Sequence, residues 1–204
     1  GTSLCELFVS IDAVLSNASE LSLGNIIGSN IANILLVIGS ASLIKSFQIP
    51  RLSNIDLLTH FFATLLFTFV CFYSYISIYW GILFVLCFIV YFFKIINNSK
   101  NLIKNNENNQ KDFNIIEKSI WKRPFIFGPL VIVTSIFLIF SGSDLTVDSA
   151  IEISKILGIS ESIIGLSLIA IGTSLPEIAS GIVAVRKGKF LMVIGNVVGS
   201  NLYN

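Results

Sequence analysis

The chain has 204 residues, 54% of them hydrophobic and only 12% charged, with a mean hydropathy of +0.85. Soluble chains carry roughly a quarter charged residues, so this apolar excess calls for lipid as the solvent. A net charge of +1 gives no basic surface for nucleic acid, and Cys5, Cys71 and Cys87, far apart in apolar sequence, fit neither a disulfide framework nor a zinc spacing.

Runs of about 20 apolar residues mark membrane spans. In chain order they predict a partial span over 1–15 and full spans over 24–44, 57–75, 77–93, 124–142 and 162–185, with a last, short span starting near Phe190. Residues 57–93 contain no charged residue, and their length suits two helices folded back at 73–77 better than one kinked helix. The stretch 94–123 is rich in Asn and Lys and is expected to be a solvated loop. It divides the chain into a first membrane half over 1–93, a loop over 94–123 and a second membrane half over 124–204. The sequence opens on Gly1 with no signal-peptide order, which is expected of a piece of something longer.

Lys and Arg gather on the cytoplasmic side of membrane proteins. With 94–123 inside, its seven basic residues join Lys45, Arg51, Arg186, Lys187 and Lys189, so twelve of thirteen share that side. Lys155 alone falls outside, in a connection with Asp144, Asp148, Glu152 and Glu161.

Both ends of the chain carry one passage. GTSLCE at 1–6 returns as GTSLPE at 172–177, and GNIIGSNIAN at 24–33 returns as GNVVGSNLYN at 195–204, at a constant offset of 171. The charge assignment runs the GTSLCE helix outward and the GTSLPE helix inward. The copies therefore have opposite topology, and such repeats bring equivalent side chains face to face near the bilayer midplane.

Each copy places one glutamate, Glu6 or Glu177, in apolar sequence. An ionised side chain at a helix centre costs about 2.5–3.5 kcal/mol on insertion scales, and no Lys or Arg lies within either repeat span to offset it. A bound cation is the simplest partner; the rival is a protonated glutamate that hydrogen-bonds between helices. Two facing carboxylates repel unless a divalent ion, two monovalent ions or protons neutralise them. Calcium takes six to eight hard oxygen ligands. Thr2, Ser3, Ser29 and Asn33 in one copy, and Thr173, Ser174, Ser200 and Asn204 in the other, are candidate metal-ligating residues beside the glutamates. Pro176 removes a main-chain donor and frees a carbonyl one turn earlier, a further oxygen ligand.

The spacings Gly24–Gly28 and Gly195–Gly199 by themselves mean close helix packing. His60 reads as a packing or span-end residue. Asp12, six residues past Glu6, reads as a water-facing or entrance charge.

The two stretches resemble the paired alpha repeats of the calcium/cation antiporter superfamily, which includes sodium/calcium exchangers and their bacterial relatives. Residues 142–177 resemble its second repeat over the whole leading helix, whereas the middle agrees only in its pattern of spans and loop. The resemblance implies an all-α polytopic transmembrane bundle, part of a ten-helix fold of two inverted halves of five. It implies an integral protein of the bacterial cytoplasmic membrane, with the loop inside, that exchanges Ca2+ for Na+ by alternating access. H+ or K+ can replace or join Na+. By this resemblance Glu6 and Glu177 are the principal calcium ligands, Thr2, Ser3, Ser29, Thr173, Ser174 and Ser200 help form the sodium and calcium sites, and Asn33 and Asn204 complete the centre. The ions are cargo, so no resident cofactor is expected.

This sequence departs from the pattern in two places. Cys5 stands where the motif has proline, and Asn204 where some relatives have an acid. The resemblance also implies a chain that starts inside the second helix and stops inside the eighth. The rival reading is a non-functional truncated membrane fragment. An enzyme is not expected: a hydrolase built on Ser3 or Ser174 needs a base, and His60, the single histidine, has no twin in the other half.

Overall fold

The computed structural model describes residues 2–47, 54–72, 77–105 and 127–204, and among them all regular structure is helical. They form two compact units, Gly1–Arg51 with Thr134–Asn204, and Leu52–Val133. In the first unit α1 covers Leu4–Leu15 and α2 covers Ser19–Ala32. A π-helical segment, Asn33–Ile38, carries α2 into α3, Gly39–Ile44. Ser19–Ile44 is thus a 26-residue rod, about 39 Å long at 1.5 Å per residue, enough for a hydrocarbon core of about 30 Å.

Among the described residues the second unit holds α4, Asn54–Phe72, α5, Ile78–Asn105, and residues 127–133 of the helix that follows. Tyr91 Oη donates to Asp56 Oδ1 at 3.1 Å, and Phe67 meets Phe84, and Phe69 meets Trp80, edge to face with centroids 6.4 Å apart. Partner numbers fall on one helix as they rise on the other, so α4 and α5 form an antiparallel hairpin. The reversal expected at 73–77 has its residues 73–76 outside the described ones. α5 continues as helix to Asn105, into the stretch read as loop, and 106–126 lie outside the described residues.

The next helix, α6, runs over Phe127–Leu157, and this corrects the span expected to end at residue 142. Gly142 costs a helix about 1 kcal/mol without ending it. The stop comes at Gly158, whose φ of +67° suits glycine, with Ile159 N–H bonding Ser154 O at 3.1 Å. Asp144, Asp148 and Glu152 therefore sit on α6 rather than in a connection.

After this turn come α7, Glu161–Ile164, a π-helical segment, Gly165–Ile169, and α8, Ala170–Thr173. Ser174 separates α8 from α9, Leu175–Arg186, and α10, Phe190–Tyr203, follows. Pro176 explains the break: it lies at the start of α9, where a missing N–H is tolerated.

The repeat written in sequence returns in the backbone bonds. Ser16, Asn17 and Ala18 N–H bond the carbonyls of Asp12, Val14 and Ala13, and Lys187, Gly188 and Lys189 bond those of Val183, Val185 and Ala184, 171 residues on. Asn17 (φ 60°) and Gly188 (φ 71°) hold the same left-handed turn position. Each copy is therefore a hairpin of two helices, α1 with α2 and α9 with α10.

Contacts between the copies fix their relative direction. Along α2, Gly24 lies against Ser162 and Leu166, and Gly28 against Leu166 and Ala170. Further on, Ser29 meets Thr173. Numbers rise together, so α2 is parallel to the α7–α8 helix that leads into α9. Within each hairpin the helices reverse, so the first helices of the two copies point opposite ways, and the repeats are inverted.

Four of the described helices are long and apolar enough to cross a membrane: Ser19–Ile44, Ile78–Ile96, Val131–Leu157 and Glu161–Arg186. Their outward faces carry large apolar side chains, with Leu43 90% exposed on α3 and Tyr79 79% on α5. Such faces suit lipid rather than water. The chain is an integral membrane protein.

Candidate cation site

Along the Ser19–Ile44 rod the buried residues change character in sequence. Leu21 belongs to one apolar cluster, with Val9, Ala13 and Ile164, and Val37 and Ala41 belong to another, with Ala184, Val185 and Val193. Between them Asn25, Ser29 and Asn33 are all fully buried, spaced by four residues on one helix face. This polar stretch lies at mid-rod. On the other long helix, Thr173 and Ser174 occupy the middle of Glu161–Arg186 and are also buried.

Glycine makes the approach between these helices close. A Cβ on Gly24 would come within 2.9 Å of Leu166 N, and one on Gly165 within 3.0 Å of Asn25 N, so main chain packs against main chain. Among the described residues nothing comes within 4 Å of a Cβ built on Gly195 or Gly199, the counterparts in the second copy. Among the described residues the duplicated spacing thus makes a close helix contact at Gly24 and Gly28.

Onto this frame the two hairpins bring their carboxylates. Glu6 on α1 is 1% exposed and Glu177 on α9 is 0% exposed, and Ser3, one turn before Glu6, comes within hydrogen-bond reach of the Glu177 carboxylate. Ser3 Oγ donates to Ser200 Oγ at 2.9 Å and lies 3.4 Å from Glu177 Oε1. Asn33 Nδ2 donates to Ser200 Oγ at 2.9 Å and to Asn201 Oδ1 at 3.0 Å. Ser29 and Thr173 hydroxyls are 3.3 Å apart. Each bond crosses from the first repeat into the second or its leading helix.

Of the ten expected ligands, Ser3, Glu6, Ser29, Asn33, Thr173, Ser174, Glu177 and Ser200 are buried, whereas Thr2 and Asn204 are half-buried. Thr2 makes none of these bonds, and Asn204 Nδ2 turns to Asn30 Oδ1 at 3.3 Å. Ser3 has φ −70° and ψ 5°, close to the −84° and −1° of Ser174, so the two serines share one backbone geometry although Cys5 replaces proline. Asp12 is half-buried within reach of the charges of Asp144 and Asp148 on α6.

Asn25, Asn30 and Asn201 also enter this network and were not foreseen as site residues. Asn201 Nδ2 donates to Asn30 O at 3.2 Å, and Asn25 binds both Ser29 and Thr173. The signal was present: Asn25 precedes Ser29 by one helical turn within the repeated GNxxGSN.

The charge and oxygen balance decides what this pocket suits. Glu6 Oε1 and Oε2, Glu177 Oε2, Asn33 Oδ1, Ser174 Oγ and Asn204 Oδ1 are buried with no hydrogen-bond partner. All six belong to expected ligands; Asp12 Oδ2 is likewise buried without a partner. Most buried polar groups are satisfied, and an unpaired buried carboxylate is costly. Neither α1, α2, α8 nor α10 contains a lysine or arginine, and Arg186 closes the far end of α9. No cluster of three or more His, Cys, Asp or Glu occurs among the described residues. Two carboxylates with neutral hydroxyl and amide oxygens suit hard cations of the sodium and calcium kind rather than a soft metal. A cavity of about 560 Å³, lined by Cys5, Gly142, Ser143, Thr146, Gly172 and Thr173 among others, reaches the edge of this cluster.

Known proteins carry the same arrangement of sequence. The chain is 32% identical to an uncharacterized membrane protein of Methanocaldococcus jannaschii, over 99% of this chain and 63% of that protein. It is 32% identical to the sodium/calcium exchanger MaX1 of Methanosarcina acetivorans, over 100% of this chain and 67% of that protein. It is 30% identical to the inner membrane protein YrbG of Escherichia coli, over 100% of this chain and 63% of that one. The chain thus spans a little under two thirds of the length of most of these relatives. No solved structure matches it. A family model described as sodium/calcium exchanger protein matches residues 1–96 and 127–204, which include both repeats and all ten expected ligands. This chain belongs to the sodium/calcium exchanger protein family.

Proposed function

We propose that the protein is a secondary-active cation antiporter that exchanges Ca2+ for Na+ across the membrane by alternating access. One observation carries the reading: among the expected ligands six buried oxygens have no hydrogen-bond partner, two of them on Glu6 and one on Glu177, drawn from both inverted repeats. Ca2+ bound between the carboxylates would discharge both, and Thr2, Ser3, Ser29, Asn33, Thr173, Ser174, Ser200 and Asn204 would complete its shell or hold Na+ beside it. Occupancy by Na+ or by Ca2+ compensates the same two charges, so the ions compete, and competition at one pocket is the basis of exchange. A pocket with uncompensated carboxylates resists passage through the apolar barrier, so only the loaded protein changes facing.

The name of the Methanosarcina relative supports Na+ as the coupling ion, and that of the Escherichia relative supports the inner membrane. The basic residues of 94–123 support a cytoplasmic side for that segment.

The test is flux. Proteoliposomes loaded with Na+ and diluted into Ca2+ are expected to take up Ca2+, and Glu177→Gln is expected to abolish uptake while inserting normally. Near-normal uptake by that variant contradicts the proposal. Uptake driven by an H+ or K+ gradient and indifferent to Na+ reassigns the coupling ion.

A further inference from the structure

Asn25 is 0% exposed and joins three helices. Its Nδ2 faces the main-chain oxygen of Glu6 at 3.4 Å and Ser10 Oγ at 3.1 Å. Its Oδ1 accepts from Thr173 Oγ1 at 3.2 Å and from Ser29 Oγ at 3.4 Å. The amide has one workable orientation: the Glu6 carbonyl can only accept, so it must face the NH2 group, and that leaves Oδ1 to the two hydroxyls.

A hydroxyl has one proton and two lone pairs, and it ligates a cation only through a lone pair. Beside two carboxylates an unrestrained hydroxyl swings its proton toward the negative charge and offers the pocket the wrong end. We propose that Asn25 is a positioning residue that accepts the Ser29 and Thr173 protons and so turns their lone pairs toward the cation. This inference rests on the cation site of the proposed function.

The two hydroxyls do not depend on Asn25 equally. Thr173 Oγ1 has other acceptors in Ile169 O at 3.0 Å and Ala170 O at 3.3 Å. Ser29 has, besides Asn25, the Thr173 hydroxyl itself. Ser29 is therefore the ligand that Asn25 chiefly controls. Asn196, the twin of Asn25, is half-buried and reaches Ser180 Oγ at 3.5 Å.

The purified protein in detergent is titrated with CaCl2, and the half-saturating Ca2+ concentration is read from the rise in Tm. Asn25→Leu, near in volume but without an acceptor, is expected to raise that concentration about tenfold, as loss of oriented hydrogen bonds implies. Asn25→Asp keeps an acceptor in place and is expected to bind Ca2+ at least as well as wild type. In a Ser29→Ala background Asn25→Leu is expected to cost much less than in a Thr173→Val background. A purely structural tie through Nδ2 predicts instead that Asn25→Asp, when ionised without its donor, fails like Asn25→Leu, and that result overturns the inference, as does wild-type affinity in Asn25→Leu. If leucine unfolds the bundle, Asn25→Asp against wild type decides alone, and a tenfold loss there overturns it. No Ca2+ response in wild type overturns the proposed function and this inference together, whereas a normal wild-type response with indifferent Asn25 variants overturns this inference only.

Discussion

In the first copy of the repeat Gly24 and Gly28 lie against the main chain of Leu166 and Asn25 is fully buried, whereas in the second copy Gly195 and Gly199 have no neighbour that close among the described residues and Asn196 is half-buried. The letters are the same and the hairpin turns match bond for bond. What differs is the neighbour: α2 runs parallel to α7–α8, and among the described residues nothing comes as close to the corresponding face of α10. A repeated motif therefore fixes local backbone and the placing of a carboxylate, and the close approach at Gly24 and Gly28 is made by the α7–α8 helix.

The largest expected effect tests where the copies are alike. If Glu6 and Glu177 share one site, Glu6→Gln should abolish Na+-driven Ca2+ uptake in vesicles as fully as Glu177→Gln, and the double variant should be no worse. Groups that act as a unit are not additive. Residual flux in one single variant but not the other would break the equivalence.

Next comes the difference in glycine packing. Gly28→Ala places a methyl group against Leu166 O and Ala170 Cβ, the latter at 2.5 Å, and should cost about 1–3 kcal/mol of stability by overpacking. Gly199→Ala meets no neighbour among the described residues and should be neutral or stabilise by up to about 1 kcal/mol through helix propensity. Thermal unfolding of the two variants checks both, and equal losses would show that α10 is packed as tightly as α2.

Much of this was legible in the sequence. Hydropathy marked the spans, and the offset of 171 marked the paired hairpins and their glutamates. Charge bias gave the inverted sense that the parallel run of α2 and α7–α8 also requires. The end of α6 was not legible, because Gly142 looks like a boundary and only the closing bond to Ser154 O shows that the helix continues to Leu157. Asn25 was missed because a buried amide is identified by its partners, and Thr173 is 148 residues away in sequence. Neither did the GNxxGSN letters reveal which helix Gly24 and Gly28 pack against.

Smaller effects sharpen the comparison. Asn204→Asp adds a charge where Asn204 Oδ1 is buried without a partner, and Ca2+ affinity rises with ligand charge. A several-fold lower half-saturating Ca2+ concentration in the Tm titration is expected, and weaker binding would place Asn204 outside the site. The least change is expected from Cys5→Pro. Cys5 N–H makes only a 3.5 Å bond to Thr2 O in the first turn of α1, and Pro176 occupies the equivalent position of α9. Thermal unfolding should move by less than about 1 kcal/mol, and a larger loss would show that the first helix needs the donor that the second does without.

The central claim is that one cation is held between carboxylates from both inverted repeats. A structure of the protein in Ca2+ tests it most directly: the account predicts a single ion at about 2.3–2.6 Å from oxygens of both Glu6 and Glu177, and an ion bound by one glutamate alone, or by neither, would contradict it.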